Sequence, residues 1–105
     1  MARIVWTEPA LADLNDIAEY IALDKVAAAR RLVQRVFSAV GRLEQFPESG
    51  RHLPELDESP CREVIVGPCR ILYRYDGQRV IILYVMRGER ELRNYIIDER
   101  LDASI

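Results

Sequence analysis

The hydrophobic period of this chain changes once, at Cys61, and that change constrains its fold more than any other feature. Before Cys61 apolar residues recur at helical spacing, and after it they alternate. Leu11, Leu14, Ile17, Ala18 and Ile21 make one helical stripe, with Asp13, Asp16 and Glu19 on the opposite side. Thr7 is placed to cap this helix and Pro9 is tolerated in its first turn, so the pattern predicts a helix over residues 8–22. Asp24 is expected to cap a second helix with the stripe Ala29, Leu32, Val33, Val36, Val40 and Leu43. Arg30, Arg31, Arg35 and Arg42 fall off that stripe, and Pro47 ends the helix. The short link between the two forces an antiparallel helical hairpin.

Residues 3–6 are β-branched and aromatic and read as a strand. Residues 47–60 hold three prolines, Gly50 and several acids, and read as a loop that Leu53 and Leu56 pin to the core. Strands follow over residues 61–66, 69–75 and 79–87, separated by Gly67-Pro68 and by the hairpin signal Asp76-Gly77. The run from Val80 to Val85 is apolar on both faces, which marks a central, covered strand. In the charged tail, Leu92 and Ile96 have the spacing for a helical turn or two, and residues 93–105 carry no assigned structure. The expectation is an α+β fold: an N-terminal strand on a sheet edge and a two-helix hairpin packed on one face of an antiparallel β-meander. With 105 residues and no repeat or linker, residues 1–105 read as a single domain.

No apolar run approaches the roughly 20 residues of a membrane-spanning helix, and the start of the chain lacks a signal-peptide pattern. The expectation is a cytoplasmic protein with no membrane partner. In that compartment Cys61 and Cys69 stay reduced. Their spacing and the isolation of the sole histidine, His52, argue against a metal site, and no cofactor is expected. A net charge of −2 excludes a bulk polycation. The charge is nevertheless uneven: residues 8–24 hold five acids and no base, while Arg62, Arg70, Arg74, Arg79, Arg87, Arg90 and Arg93 crowd the second half. Lys25 is the only lysine. Codon bias in a GC-rich genome and selection for planar guanidinium forks both account for that choice.

Treating Asp76-Gly77 as a two-residue turn sets Tyr75 opposite Gln78, Tyr73 opposite Val80 and Ile71 opposite Ile82. Tyr84 and Met86 then share that face, which is expected to lie under the helices. Arg70, Leu72, Arg74, Ile81, Leu83, Val85 and Arg87 take the other. A two-residue turn at Gly67-Pro68 adds Val64 and Val66 to the first face and Glu63 and Ile65 to the second. It also sets Cys69 opposite Val66 and Cys61 opposite Arg74, so the thiols are not partners. Guanidinium groups on a half-apolar face must reach water, a carboxylate or a ligand. Two readings stay open: Glu63 pairs with Arg70 and the rest are solvated, or the face receives a phosphate, a nucleic acid or an acidic partner segment.

Several pieces, in order, resemble the ParE/RelE superfamily of toxins from type II toxin–antitoxin systems, its ParE-like branch in particular. They are Ala12-Asp13-Leu14 with Ile17-Ala18-Glu19-Tyr20-Ile21, Ala28-Ala29-Arg30-Arg31-Leu32, and Phe46-Pro47-Glu48-Ser49-Gly50-Arg51. Then come Arg62-Glu63, Gly67-Pro68-Cys69-Arg70-Ile71-Leu72-Tyr73-Arg74, and Val80-Ile81-Ile82-Leu83 leading to Val85-Met86-Arg87-Gly88-Glu89-Arg90-Glu91-Leu92. The resemblance implies a toxin neutralised by a cognate ParD-like antitoxin, a ribbon-helix-helix protein through which alone operator DNA is bound. It implies either DNA gyrase or the ribosome as target. The chain departs from the family's common pattern at Arg87, often histidine, and at Cys69, often tyrosine.

Cleaving RNA through its 2′-hydroxyl requires a base, an acid and cations for the phosphorane charge. Arg70, Arg74, Arg87, Glu63 and Tyr84 are the candidates if the chain is a nuclease. A tyrosine such as Tyr84 or Tyr95, with an ordinary pKa near ~10, needs strong tuning for that task. The sheet region has no histidine or lysine, so no catalytic residue is assigned and a gyrase-binding inhibitor is the favoured reading. Arg62, Arg70, Arg74, Arg87, Arg90 and Arg93 are the expected target or partner contacts. A ribosome-dependent mRNA endoribonuclease and a non-toxic, antitoxin-binding co-repressor are the alternatives.

Overall fold

A computed structural model describes residues 1–54, 56, 58–87 and 100. Strand β1 (Arg3–Trp6) leads into helix α1 (Glu8–Ala22), and α2 (Val26–Gly41) runs on through a 3-10 turn at Arg42–Glu44. After these come β2 (Arg51–His52), β3 (Arg62–Val66), β4 (Cys69–Tyr75) and β5 (Arg79–Arg87). One five-stranded sheet has the order β1-β5-β4-β3-β2. It is mixed: β1 lies parallel to β5, while β2 to β5 pair antiparallel.

Thr7 caps α1 as predicted. Its hydroxyl accepts from the Ala10 amide at 3.3 Å and donates to the Ile82 carbonyl at 2.7 Å, which ties the helix start to the central strand. The cap of α2 is Lys25, not Asp24, and no side chain completes it. Packing therefore holds this helix: Ala29, Leu32, Val36, Ala39 and Val40 are buried along its predicted stripe. They meet Ala10 and Leu14 of α1 and, from the sheet, Val66, Cys69, Ile71, Tyr73, Val80, Ile82 and Val85. Leu11, assigned to the stripe of α1, is exposed.

The far face of the sheet is covered by no helix among the described residues. Leu53 and Leu56 of the loop cover part of it, as expected, and pack with Cys61, Leu72, Ile81, Leu83, Tyr84 and Met86. The two-residue strand β2 inside that loop has no period-2 run to announce it. Both cysteines are buried and unbridged, Cys69 in the helix-side core and Cys61 in the far one.

The β3–β4 register is the predicted one, with Val66 opposite Cys69. The Gly67–Pro68 peptide is cis. The β4–β5 register differs twice. The connection between the strands is Asp76-Gly77-Gln78, and Tyr75 faces Val80 rather than Gln78. Asp76 builds it: Oδ1 accepts from the amides of Gln78 at 2.9 Å and Arg79 at 2.6 Å, and Gly77 takes φ 95°. A shift of two residues keeps every side chain on its face. The second difference does not. Tyr73 faces Ile82 but Leu72 faces Tyr84, so Leu83 is an extra residue in β5. Beyond this bulge the faces exchange. Tyr84 and Met86 go to the far face, and Val85 and Arg87 to the helix side.

Candidate functional site

The bulge separates the arginines that sequence periodicity had placed together. Arg87 faces Cys69 on the helix side, and its guanidinium carbon stands 6.0 Å from the ring centre of Tyr20 on α1. Arg70 stays on the far face but is only 7% exposed, and its Nη2 donates to Glu63 Oε1 at 2.6 Å. Glu63 is 1% exposed and takes a second cation on Oε2, where Arg51 donates through Nε at 3.2 Å and Nη2 at 3.1 Å. The Glu63–Arg70 pair that one reading of this face contained is therefore present. One buried carboxylate bridges β2, β3 and β4, since Arg51, Glu63 and Arg70 sit on successive strands.

Arg62 is likewise engaged. It donates to the Gly50 carbonyl at 2.9 Å and lies 3.8 Å from Glu48. The same Pro47–Gly50 turn is gripped from below by Tyr73, whose hydroxyl donates to the Pro47 carbonyl at 2.8 Å and accepts from the Gly50 amide at 2.9 Å. Burial pushes the Tyr73 hydroxyl above its ordinary 10.0, which keeps it protonated for that double role. The proline–glycine–arginine element is thus a bracket that seats Arg51 and Arg62. Arg74 is half-buried at the margin of the far face, beyond Leu72. Arg90, Arg93 and Tyr95, like the tail from Gly88 to Glu99, lie outside the described residues.

Tyr84 stands on the far face with the Arg100 guanidinium 4.1 Å from its ring centre. Arg100 also donates to the Leu83 carbonyl at 3.0 Å and to both oxygens of Asp13, at 3.0 and 3.3 Å. Asp13 Oδ2 accepts in turn from the Val85 amide at 3.1 Å. Together they satisfy backbone groups of β5 past the point where β1 ends, at Trp6. Sequence reasoning set Asp13 on the solvent side of α1 and missed this contact, because only the bulge turns Val85 toward it.

A groove that the periodicity did not anticipate runs between α2 and β3. It encloses about 1050 Å3, with Arg31, Arg35 and Arg42 on its helical wall and Ile65, Val66 and Gly67 on its strand wall. Ala28 and Ala39 add apolar surface at its floor. Arg35 Nη2 donates to the Gly67 carbonyl at 3.0 Å and closes one end. A second hollow continues it past Ala39, Arg42 and Ile65 to Phe46 and Arg51. Ile65 and Phe46 are 51% and 61% exposed, unusual for large apolar residues this close together. Three arginines off the apolar stripe of α2 were visible in sequence. Their facing the outer side of β3 was not.

Residues 4–92 match the sequence profile of the family described as the ParE toxin of the type II toxin–antitoxin system parDE. Among curated proteins, toxin RelE2 of Caulobacter vibrioides is 39% identical over 92 residues, covering 88% of this chain and all of the relative. Toxin ParE3 of the same organism is 34% identical over 96 residues, covering 88% of this chain and 92% of that one. Among solved structures, a chain of the "Chromosomal ParDE TA system from P. aeruginosa" superposes with a TM-score of 0.70 at 30% identity, covering 85% of this chain and 98% of the other.

Proposed function

This chain belongs to the ParE toxin family of type II toxin–antitoxin systems, and from that premise we propose that it arrests growth by binding DNA gyrase, breaks no bond itself, and is neutralised by a ParD-like antitoxin. The surroundings of Glu63 carry this reading. A nuclease base must reach a substrate hydroxyl, yet Glu63 is 1% exposed and held between Arg51 and Arg70. The other members of the nuclease set are divided by the sheet, with Tyr84 on the far face and Arg87 on the helix side. What remains suits recognition: Arg74 at the margin of the far face, Arg62 beside the Pro47–Gly50 turn and Arg87 beside α1 are the target contacts in this proposal. Arg90 and Arg93 keep the same assignment, and operator DNA is reached through a ribbon-helix-helix antitoxin.

A supercoiling assay with purified chain and gyrase tests the proposal. Inhibition is expected, and full supercoiling at saturating chain refutes it. The name RelE2 on one relative motivates a second reading, a ribosome-dependent endoribonuclease. Transcripts cut in codon register after a pulse of expression would establish that reading in place of the first. Normal growth on expression without any antitoxin would leave only a co-repressor. No helix among the described residues is long and apolar enough to cross a membrane, which is compatible with the proposed cytoplasmic site of action.

A further inference from the structure

We propose that the β4–β5 hairpin end of the far face binds the backbone of duplex DNA directly, with Arg3, Arg79 and Arg74 each holding a phosphate. The phosphate chemistry is read from this surface alone. Only the choice of DNA as its source rests on the reading above, in which gyrase and a DNA-binding antitoxin are the partners.

Three features converge on that occupant. The first is a pairing that the fold itself does not need. β1 and β5 run parallel with Arg3 opposite Arg79. Ile4 and Val80, the next pair, pack on the helix side, so both arginines belong to the far face. Like charges set side by side on one sheet face destabilise it. Arg74 joins them from β4: it faces Ile81, two residues along β5 from Arg79 and on the same side.

The second is how little neutralises them. Asp76 Oδ2 accepts from Arg79 Nε at 2.9 Å. The side chains of Arg3 and Arg74 have no hydrogen bond or ion pair among the described residues. Three guanidinium groups therefore share one carboxylate, in a chain whose net charge is −2. Arg3 and Arg79 are exposed and Arg74 is half-buried, so all three heads are within reach of a ligand.

The third is the lining and the spacing. A hollow of about 490 Å3 is lined by Arg3, Arg79, Asp76 and Gln78, all of them polar. It lacks the apolar anchors that hold an acidic peptide, whereas a phosphate backbone needs none, since its affinity comes from released counterions. No ring lines it for an unpaired base to stack on, because Tyr75, the neighbouring aromatic, packs against the helix-side core. A duplex, with its bases already stacked, loses nothing by that. Strands stand about 4.8 Å apart and every second residue advances about 6.6 Å, which sets Arg3 and Arg74 roughly 12 Å apart. Over that length one strand of a duplex presents about three phosphates, at about 3.4 Å of axis each.

The test is fluorescence anisotropy of the full chain with a short labelled DNA duplex across a range of salt. Binding is expected at about 10−4–10−6 M in physiological salt, and log Kd is expected to rise with log salt at a slope of about 2.7, the value for three phosphates. Arg3→Gln and Arg74→Gln should each lower that slope by about one and weaken binding several-fold. Arg30→Gln, which removes an exposed arginine of α2, should leave both unchanged. Thermal melts accompany the variants. Arg3→Gln is expected to melt no lower than the wild type, because it relieves the contact with Arg79, so its loss of binding cannot come from unfolding even if half-buried Arg74 proves necessary to the fold. No binding at low salt, or a slope that both variants retain, overturns the proposal. Tighter binding of a glutamate-rich peptide overturns it in favour of an acidic protein partner, and tighter binding of duplex RNA of the same length overturns the choice of DNA. None of these readouts involves gyrase: a chain that binds the duplex through Arg3 and Arg74 yet leaves supercoiling intact refutes the gyrase reading and not this surface.

Discussion

Replacing Glu63 by alanine should unfold this protein more readily than any other single change on the far face. Glu63 is buried and is held by Arg70, itself buried, and by Arg51, whose side chain is 62% exposed. Its removal takes from the nearly buried Arg70 guanidinium a carboxylate held at 2.6 Å, and losing one partner of a buried pair costs about 3–5 kcal/mol. Against a total stability of roughly 5–15 kcal/mol for a domain, that is a large share. Arg51→Ala should cost no more than about 1 kcal/mol, since the exposed partner reaches water on its own. The double replacement Glu63→Leu with Arg70→Met should recover most of the loss, because apolar side chains of similar volume avoid desolvating two charges. Urea denaturation of the four proteins gives the numbers directly. A Glu63→Ala cost below about 1 kcal/mol, or a double variant as damaged as the single one, would refute the structural role of this carboxylate. It would reopen the question of a chemical one.

Other outcomes follow from the same geometry. Tyr73→Phe strands the Pro47 carbonyl and the Gly50 amide and should cost about 1–3 kcal/mol in urea. Because burial raises Tyr73 above 10.0 in the fold, its contribution is complete below that pH and fades as pH climbs through the raised value. An alkaline melt series should show that limb in the wild type and lack it in the variant. Gly50→Ala places a Cβ 2.5 Å from the Tyr73 hydroxyl and 2.8 Å from the Glu63 carbonyl, and should lower stability by about 1–3 kcal/mol in thermal melts. Asp76 is lowered from 3.8 to about 2 by the Arg79 and Gln78 amides, so its stabilisation holds above pH 3.8 and is lost as pH falls toward 2. Asp76→Ala should remove that part of the acid limb.

The helices were legible because each carries its own period and its own punctuation. Thr7, Pro9 and the stripe of α1 state a start and a face, and the structure places that helix at Glu8–Ala22. Pro47 set only an outer limit to α2, which ends at Gly41 and passes through a 3-10 turn at Arg42–Glu44, and its beginning was not readable either. Asp24 has the better capping side chain, yet the backbone turns one residue later at Lys25, where packing of Ala29 and Leu32 decides the phase. The groove escaped for a different reason. Arg31, Arg35 and Arg42 could be seen to leave the apolar stripe, but what an off-stripe residue faces depends on which strand ends nearby, and β2 is only two residues long.

The arginine face shows how one local irregularity redirects a functional reading. A strand run that is apolar on both sides, such as Val80 to Met86, holds no mark of where its alternation breaks, since either face accepts any of its residues. The hairpin turn was misjudged by two residues without consequence for the faces. The single extra residue at Leu83 changed the side of four. What pays for the bulge lies far off in sequence: Asp13 accepts the Val85 amide and Arg100 reaches the Leu83 carbonyl, contacts spanning 72 and 17 residues. Arg87 is thereby carried to Tyr20 and away from Arg70, and a basic cluster that periodicity assembles on one face becomes a buried structural pair and a separate helix-side contact. The arginines that do form a row are on α2, where the 3.6-residue period cannot slip, and among the described residues no strand lies outside Val64, Ile65 and Val66, which they face.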